Sequence, residues 1–332
     1  MNAFRRLTLS LSLLLSSAAL APAMAQVASE TIQTSAGALQ VSAVVTGLDE
    51  PWGFGFLPDG KIVVTERDGR VLLVTPGAGA VALRNPPQVL ADGQGGLLDV
   101  LVPRDFAQSR TLYFTHAKRQ GRGSGTAVTK AVLSADGTAL TAHDTIFEIA
   151  PGSSGGRHFG SRLVEARDGT LFVTVGDRGS DDTAQDRSLH NGSVLRITKT
   201  GAVPSDNPFV NTAGVLPEIW SYGHRNPQGA AMDSNGQLWV TEHCARGGDE
   251  VKRCEKEPCA LCVSSLARGE ARGAREAMCR ARDLCAKRRR TTEAVGAVIS
   301  YHRSFKTIYE YRCDMDILSR VCFESSYHGH IL

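Results

Sequence analysis

Residues 58–66, Pro-Asp-Gly-Lys-Ile-Val-Val-Thr-Glu, join a tight turn to a run rich in β-branched side chains. The same pattern returns at 167–174, Arg-Asp-Gly-Thr-Leu-Phe-Val-Thr, and at 234–242, Ser-Asn-Gly-Gln-Leu-Trp-Val-Thr-Glu. Asp-Gly and Asn-Gly supply the positive φ angles of hairpin turns, and β-branched residues favour the strand that follows. Each copy therefore predicts a β-hairpin.

The repetition of this turn and strand indicates the fold class. Residues 134–137, Ser-Ala-Asp-Gly, are a degenerate fourth copy, and the first 250 residues lack helical periodicity, so helices should be few. Strand units that recur at intervals of tens of residues favour an all-β propeller, with an antiparallel β-sandwich as the alternative. The glycines of the three good copies lie 109 and 67 residues apart, so at least one blade should carry a diverged turn or an insertion.

Composition and charge narrow the class of protein. The chain has 332 residues, which suffices for one large domain or two ordinary ones. A hydrophobic share of 42% and a charged share of 21% exclude a disordered or fibrous chain. The formal net charge of +3 is too small to indicate a nucleic-acid or membrane partner, and we expect neither.

The N-terminus has the pattern of a secretory signal peptide. Arg5 and Arg6 precede an apolar stretch over 7–20, and Ala23-Met24-Ala25 offers a small-x-small cleavage site. An uncleaved membrane anchor is the alternative, but the apolar stretch is shorter than the roughly 20 residues that a spanning helix needs. We therefore predict a signal peptide over 1–25 and a periplasmic or secreted mature protein.

Cysteine content and charge change abruptly near residue 251. All eight cysteines lie between Cys244 and Cys322, and residues 252–332 contain 16 Lys and Arg against 10 Asp and Glu. Residues 252–290 have neither Asp-Gly turns nor alternating strands. The sequence therefore predicts a propeller over 34–251 and an atypical, basic, Cys-rich tail over 252–332.

Two interpretations of this tail stay open. Its cysteines could ligate zinc, although zinc modules pair their Cys-x2-Cys units and the second unit is missing here. The alternative is an out-of-frame or otherwise unselected sequence attached to the propeller, which the abrupt change in composition favours. The cysteines concerned are Cys254, Cys259, Cys262, Cys279 and Cys285.

Four loops of the propeller segment concentrate polar residues among glycines. They cover residues 93–99, 155–162, 176–179 and 220–229. Glycines let a ligand approach the backbone, and loops held by a rigid β-scaffold are where binding sites usually lie. A lone histidine in such a loop, like His158, is more often a surface or packing residue than a catalytic one. The loops alone mark a candidate site without assigning its chemistry.

In their order along the chain, these stretches resemble the soluble PQQ-dependent aldose sugar dehydrogenases, the glucose/sorbosone dehydrogenase family of six-bladed β-propellers. The resemblance implies that PQQ and Ca²⁺ lie over the top of the propeller and that an aldose is oxidised at C1 to the lactone. It runs from about residue 48 to 251. The matching segments are Glu50-Pro51-Trp52-Gly53, the Gln94 loop, His158-Phe159-Gly160-Ser161-Arg162-Leu163, Gly176-Asp177-Arg178, the stretch 217–229 and Arg246-Gly247-Gly248-Asp249-Glu250.

The resemblance assigns catalytic roles to three residues. His158 matches the general base that takes the proton of the C1 hydroxyl while hydride passes to PQQ, a role that suits an imidazole because it exchanges protons near neutral pH. Asp177 matches the carboxylate that orients this ring and stabilises the imidazolium. Arg225 matches a guanidinium that stabilises negative charge developing on the quinone.

Cofactor and partner contacts follow from the same resemblance. Gln94, Arg225 and Asn226 match residues that contact PQQ, a tricarboxylate for which a site rich in donors is expected. The implied partners are a small aldose and a soluble or artificial electron acceptor, with a homodimer as the oligomeric state to consider.

The implied calcium site departs from the family pattern. The family has Gly-Pro after Glu-His, with backbone carbonyls that help bind the cofactor's Ca²⁺, whereas this chain has Cys244 and Ala245. A Cβ at the glycine position restricts the backbone φ angle, so calcium binding should be weakened. Glu250 matches a family carboxylate that binds a second, structural Ca²⁺.

The resemblance ends near Val251, so it supplies about four blades of a ring that needs six. An unclosed propeller exposes strand edges and an apolar blade face, so we expect an incomplete propeller whose activity is in question. The functional alternatives are a non-catalytic sugar- or protein-binding propeller and an L-sorbosone dehydrogenase.

Overall fold

The chain is almost entirely β-structure. The helical elements within the described ranges are α1 (Phe106–Ser109) and one turn of 3-10 helix (Asp181–Ala184), so the expectation of few helices is confirmed. The predicted signal peptide and most of the Cys-rich tail lie outside those ranges. The computed structural model describes residues 29–34, 37–244, 249–254, 294–302 and 305–313.

In the described ranges the strands form antiparallel sheets, four of which are successive blades of a propeller. A hairpin of β1 (Ser29–Thr34) and β2 (Gly37–Val45) precedes them. Blade 1 has β3 (Pro51–Phe56), β4 (Ile62–Glu66), β5 (Val71–Thr75) and β6 (Gly79–Ala82). Blade 2 has β7 (Leu97–Leu101), β8 (Thr111–Gln120), β9 (Gly123–Leu133) and β10 (Leu140–Glu148). Blade 3 has β11 (Leu163–Glu165), β12 (Leu171–Val175), β13 (Ser193–Ile197) and β14 (Ile219–Tyr222), and blade 4 has β15 (Pro227–Met232), β16 (Leu238–Glu242) and β17 (Glu250–Cys254).

Apolar side chains between neighbouring blades form the core. Each boundary has a buried cluster that draws residues from both blades, such as Val63 and Leu97 between blades 1 and 2. Because both faces of a blade are covered in this way, β4 and β12 are buried along their whole length and consist largely of apolar, β-branched residues. The predicted all-β propeller of about four blades is confirmed, and the β-sandwich is excluded.

The three turn copies occupy equivalent places in three blades. Each joins the first strand of its blade to the second, in blades 1, 3 and 4. Their glycines Gly60, Gly169 and Gly236 have φ angles of 82°, 84° and 81°, which side chains with a Cβ rarely adopt.

Blade 2 accounts for the uneven spacing of the copies. Its first two strands are joined by residues 102–110, which contain α1 instead of an Asp-Gly turn. The longer interval between copies therefore spans two blades and the shorter one spans a single blade. The degenerate copy at 134–137 lies elsewhere, between the third and fourth strands of blade 2.

A threonine in the second strand of each of the first three blades connects that blade to the next. We call these contacts the threonine clasps. Each hydroxyl accepts an N–H at 2.9 Å from the first strand of its own blade or the residue just before it. Each also donates to a carbonyl in or next to the first strand of the following blade: Thr65 to Leu98 at 2.5 Å, Thr115 to Ser161 at 2.5 Å and Thr174 to Pro227 at 2.6 Å.

The two ends of the described chain meet in a further sheet. Strands β18 (Ala294–His302) and β19 (Phe305–Cys313) form a hairpin, and β19 pairs with β2 to give the order β1-β2-β19-β18. In blade 4, β17 runs to Cys254, three residues past the boundary expected at 251. Every helix in the described part of the chain is too short to cross a membrane.

Candidate active site

The candidate residues reach one end of the propeller because of strand direction. Strands alternate within a blade, so the loops after the second and the fourth strands open on the same end. Gln94 follows β6, His158 follows β10, and Arg225 and Asn226 follow β14, each after the fourth strand of a blade. Asp177 follows β12, the second strand of blade 3. The topology therefore brings the five residues together.

A buried histidine–carboxylate pair lies at the centre of this end. Nδ1 of His158 lies 2.6 Å from Oδ1 of Asp177, and the two residues are 7% and 1% exposed. The same carboxylate oxygen accepts the N–H of Gly179 at 2.6 Å. A carboxylate facing Nδ1 places the proton of the neutral ring on that nitrogen, which leaves Nε2 with a lone pair and able to accept a proton.

The backbone at His158 is held in an unusual conformation. Its φ angle is +55°, in the left-handed region that residues with a Cβ seldom occupy. The N–H of His158 donates to Oε1 of Gln94 at 2.8 Å, and a Cβ on Gly176 would lie 2.2 Å from the His158 carbonyl oxygen. Two loops at blade boundaries and one loop within blade 3 thus fix the backbone of His158, as is common for residues at functional sites.

The Arg225–Asn226 loop packs directly against this pair. The N–H of Asp177 donates to the carbonyl of Arg225 at 2.8 Å, and Oδ1 of Asn226 accepts the N–H of Gly160 at 3.2 Å. Nη1 of Arg225 donates to the carbonyl of His243 at 2.8 Å. The structure therefore brings Gln94, Arg225 and Asn226 around the histidine.

Glu242 contacts the backbone of Arg225, and His224 contacts Glu242. Sequence analysis did not single out either residue. Oε2 of Glu242 accepts the N–H of Arg225 at 3.0 Å and lies 3.4 Å from Nδ1 of His224. Burial alone would raise the pKa of Glu242, but His224 and Lys252 outweigh burial and hold this pKa well below its usual range.

Ser221, His224 and Glu242 lie in the order of a nucleophile, a base and an acid, and Ser221 Oγ is 2.7 Å from His224 Nε2. All three residues are buried, so a substrate could not reach Ser221. The signal that could have indicated Glu242 is the Thr-Glu ending shared by the first and third turn copies.

The residues expected to bind calcium lie near one another but have other partners. Ligand atoms of Glu242, Cys244 and Glu250 lie within 4.8 Å of one another. However, Nζ of Lys252 contacts Oε1 of Glu242 and lies 2.6 Å from Oε2 of Glu250, so an ammonium already compensates both carboxylates. Cys244 takes part in a disulfide bond and offers no thiolate, and calcium prefers oxygen ligands. The Glu242 and Glu250 side chains, already paired with Lys252, do not fit a Ca²⁺ ion. The cofactor's Ca²⁺ is expected at the backbone carbonyls of Cys244 and Ala245, and because Ala245 lies outside the described residues this site stays a prediction.

The donor set does fit an anionic, carbonyl-rich cofactor such as PQQ. Nε2 of Gln94, Nδ2 of Asn226 and Nη2 of Arg225 make no hydrogen bond within the described part of the chain, while Nη1 of Arg225 donates to His243. All of these groups are donors, and they belong to residues that contact the backbone of His158, Gly160 or Asp177. This arrangement suits a ligand with carboxylate and quinone oxygens.

Comparisons with known proteins find similar chains among the sugar dehydrogenases. An Escherichia coli K12 protein described as an aldose sugar dehydrogenase is 41% identical over 232 residues, which are 69% of this chain and 62% of that protein. The apo crystal structure of the E. coli soluble aldose sugar dehydrogenase matches with a TM-score of 0.64 and 42% identity, covering 65% of this chain and 64% of that one. A PQQ-bound aldose sugar dehydrogenase from Streptomyces coelicolor matches with a TM-score of 0.61 and 28% identity, covering 74% and 69%.

The chain spans about six-tenths of the length of the curated relatives that it matches first. The matched part contains the four blades and the His158, Asp177 and Arg225 loops. A family model described as glucose/sorbosone dehydrogenase matches residues 48–258, which are more than half of the chain. The chain belongs to the glucose/sorbosone dehydrogenase family.

Proposed function

We propose that this chain is a PQQ-dependent dehydrogenase that oxidises an aldose at C1 to the lactone. The observation that carries the proposal is the buried contact of 2.6 Å between His158 Nδ1 and Asp177 Oδ1, which leaves Nε2 able to accept a proton beside the donors of Gln94, Arg225 and Asn226. The family membership of the chain and the PQQ-bound state of the S. coelicolor relative support it.

Each residue has a physical role in this reaction. Nε2 of His158 takes the proton of the C1 hydroxyl, and the Asp177 carboxylate stabilises the resulting imidazolium through Nδ1. The guanidinium of Arg225 and the amides of Gln94 and Asn226 hold the cofactor by donating to its oxygens. PQQ, when bound, supplies the acceptor for the two electrons and the hydrogen that leave C1. A soluble or artificial acceptor would then take these electrons from the reduced cofactor.

The test is reduction of an artificial acceptor dye by the full chain with PQQ and glucose. We expect His158→Gln to lower turnover by about 100-fold or more, because general-base catalysis typically contributes 10²–10⁴-fold. PQQ binding, followed by its absorbance, should change little. The matched control is His143→Gln, at an exposed position on β10.

Three outcomes would count against the proposal: no dye reduction by the intact chain, full turnover by His158→Gln, or equal losses in both variants. Sugar binding without turnover would favour the non-catalytic propeller instead. Turnover of L-sorbosone in preference to aldoses would keep the cofactor and change the substrate.

A further inference from the structure

A polar cleft opens beside the His158–Asp177 pair. It has a volume of about 670 Å³, within the usual range for small-molecule sites. Its two walls continue directly from the pair, because Gly156 and Arg157 precede His158 while Arg178 and Gly179 follow Asp177. The remaining lining residues are serines, glycine, threonine and asparagine, with no carboxylate or apolar side chain among the lining residues of the described chain.

Arg178 is a buried cation in this wall, and none of the carboxylates in the described ranges forms an ion pair with it. It is 2% exposed, its guanidinium lies 3.4 Å from the centre of the Phe159 ring, and it donates to the carbonyls of Gly155 and Arg157 and to Ser124 Oγ. Those acceptors are all neutral, and within the described residues Nε is buried with no hydrogen-bond partner. Burial lowers the pKa of Arg178 to about 10, against the opposing effect of Asp177.

Two further groups in the cleft are arranged for a ligand. Oγ of Ser153 is also buried without a hydrogen-bond partner among the described residues. The Arg157 side chain is exposed, and Nη2 reaches the carbonyl of Gly179 at 3.3 Å. Gly179 leaves the room for this guanidinium, since a Cβ there would lie 2.3 Å from Nε of Arg157. The nearby acids Asp181 and Asp182 lie on the exposed 3-10 helix and do not line the cleft.

We propose that this cleft binds the anionic end of an aldose such as a hexuronic acid, with Arg157 and Arg178 facing the carboxylate and the C1 hydroxyl at His158. The inference rests on the proposed function and specifies its substrate class. A buried, uncompensated cation is stabilised by a bound anion, and guanidinium groups recognise carboxylates through charge-assisted hydrogen bonds. The serine, threonine and asparagine side chains suit the hydroxyl groups of the sugar ring.

The test is calorimetric titration of the full chain, without cofactor, with glucuronate, its neutral methyl ester and glucose. Glucuronate should bind about tenfold more tightly than the other two, since a charge-assisted hydrogen bond contributes roughly 1.5–3 kcal/mol. Arg157→Gln should abolish this preference while leaving the thermal unfolding midpoint unchanged. Arg84→Gln removes the same charge from an exposed position that contacts Thr138, outside the cleft, and should leave the preference intact.

Equal binding of glucuronate and its ester, or no binding of glucuronate, would overturn the inference. So would an unchanged preference in Arg157→Gln. A second titration with PQQ present separates the two sources of a carboxylate: if PQQ displaces glucuronate and binds less tightly to Arg157→Gln, the cleft holds a cofactor carboxylate and the inference is wrong. Because these are binding measurements, a chain that fails to oxidise sugars can still give the glucuronate result.

Discussion

His116 shows how burial makes a single residue sensitive to pH. It lies in β8, is 2% exposed, and its Nε2 lies 2.9 Å from Oγ1 of Thr129. Burial disfavours the charged imidazolium and lowers the pKa of His116 to about 4, below the ordinary value of 6.5. The unfolded chain therefore takes up a proton at a pH where the folded chain does not.

The stability contributed by neutral His116 should be fully present above pH 6.5 and lost as the pH falls from 6.5 towards 4. The loss amounts to about 3 kcal/mol of unfolding free energy, at 1.4 kcal/mol per pKa unit. Urea unfolding between pH 7 and pH 4 should show a flatter profile for His116→Gln than for the parent chain. His143→Gln, at an exposed site, should follow the parent profile. Parallel profiles for all three proteins would contradict the assignment.

At the scale of the element, the threonine clasps show that the second strand of a blade also holds the next blade by a side-chain hydrogen bond. A hydroxyl both donates and accepts, so one side chain can satisfy two buried backbone groups from two blades. Thr115 accepts the N–H of Asp99 in blade 2 and donates to the carbonyl of Ser161 beside blade 3. Valine has the same shape but makes neither hydrogen bond.

Thr115→Val should therefore lower the unfolding free energy by about 3 kcal/mol, because it leaves two buried polar groups unsatisfied. Thr75→Val is the control, since Thr75 ends β5 at a half-buried position. This control should change stability by less than about 0.5 kcal/mol. Urea unfolding at neutral pH measures both. Equal effects of the two substitutions on the unfolding free energy would show that the hydrogen bonds of the clasp do not stabilise the propeller.

At the scale of the molecule, one ion pair ties the four blades together. Oδ1 of Asp99 in blade 2 lies 2.6 Å from Nη1 of Arg162, and Oδ2 accepts the N–H of Leu163 in blade 3 at 2.7 Å. Nε of Arg162 donates to the carbonyl of Gln228 in blade 4 at 2.9 Å. The guanidinium also lies 4.7 Å from the ring centre of Trp52 in blade 1.

Asp99→Asn should destabilise the whole propeller by about 4 kcal/mol, because it leaves the largely buried Arg162 charge without its counterion. The expected readout is a joint shift of the fluorescence and far-ultraviolet circular dichroism transitions in urea, since tryptophans lie in blades 1, 3 and 4. Asp92→Asn, at an exposed carboxylate, should leave both transitions in place. A shift in one transition alone would mean that the pair stabilises single blades rather than their assembly.

Much of this fold could be predicted from local sequence. The Asp-Gly and Asn-Gly turns need positive φ at Gly60, Gly169 and Gly236, and the β-branched runs after them need only neighbouring residues to form hairpins. The spacing of the copies could not assign them to blades, because α1 replaces the turn in blade 2. The family motifs marked His158 and Asp177, but their roles stay predictions until turnover is measured.

By itself, the sequence determined where the turns, strands and polar loops lie, because turn chemistry and alternation act over a few residues. Only the tertiary structure decided which groups meet: the Gln94 amide at the His158 backbone, the Glu242 carboxylate at the Arg225 backbone, and Lys252 between two carboxylates. It also decided that Arg178 has only neutral hydrogen-bond acceptors within the described residues. These contacts join different blades, or bring charged groups together among buried residues of the described blades. Their geometry follows from the stacking of blades, which no local pattern specifies.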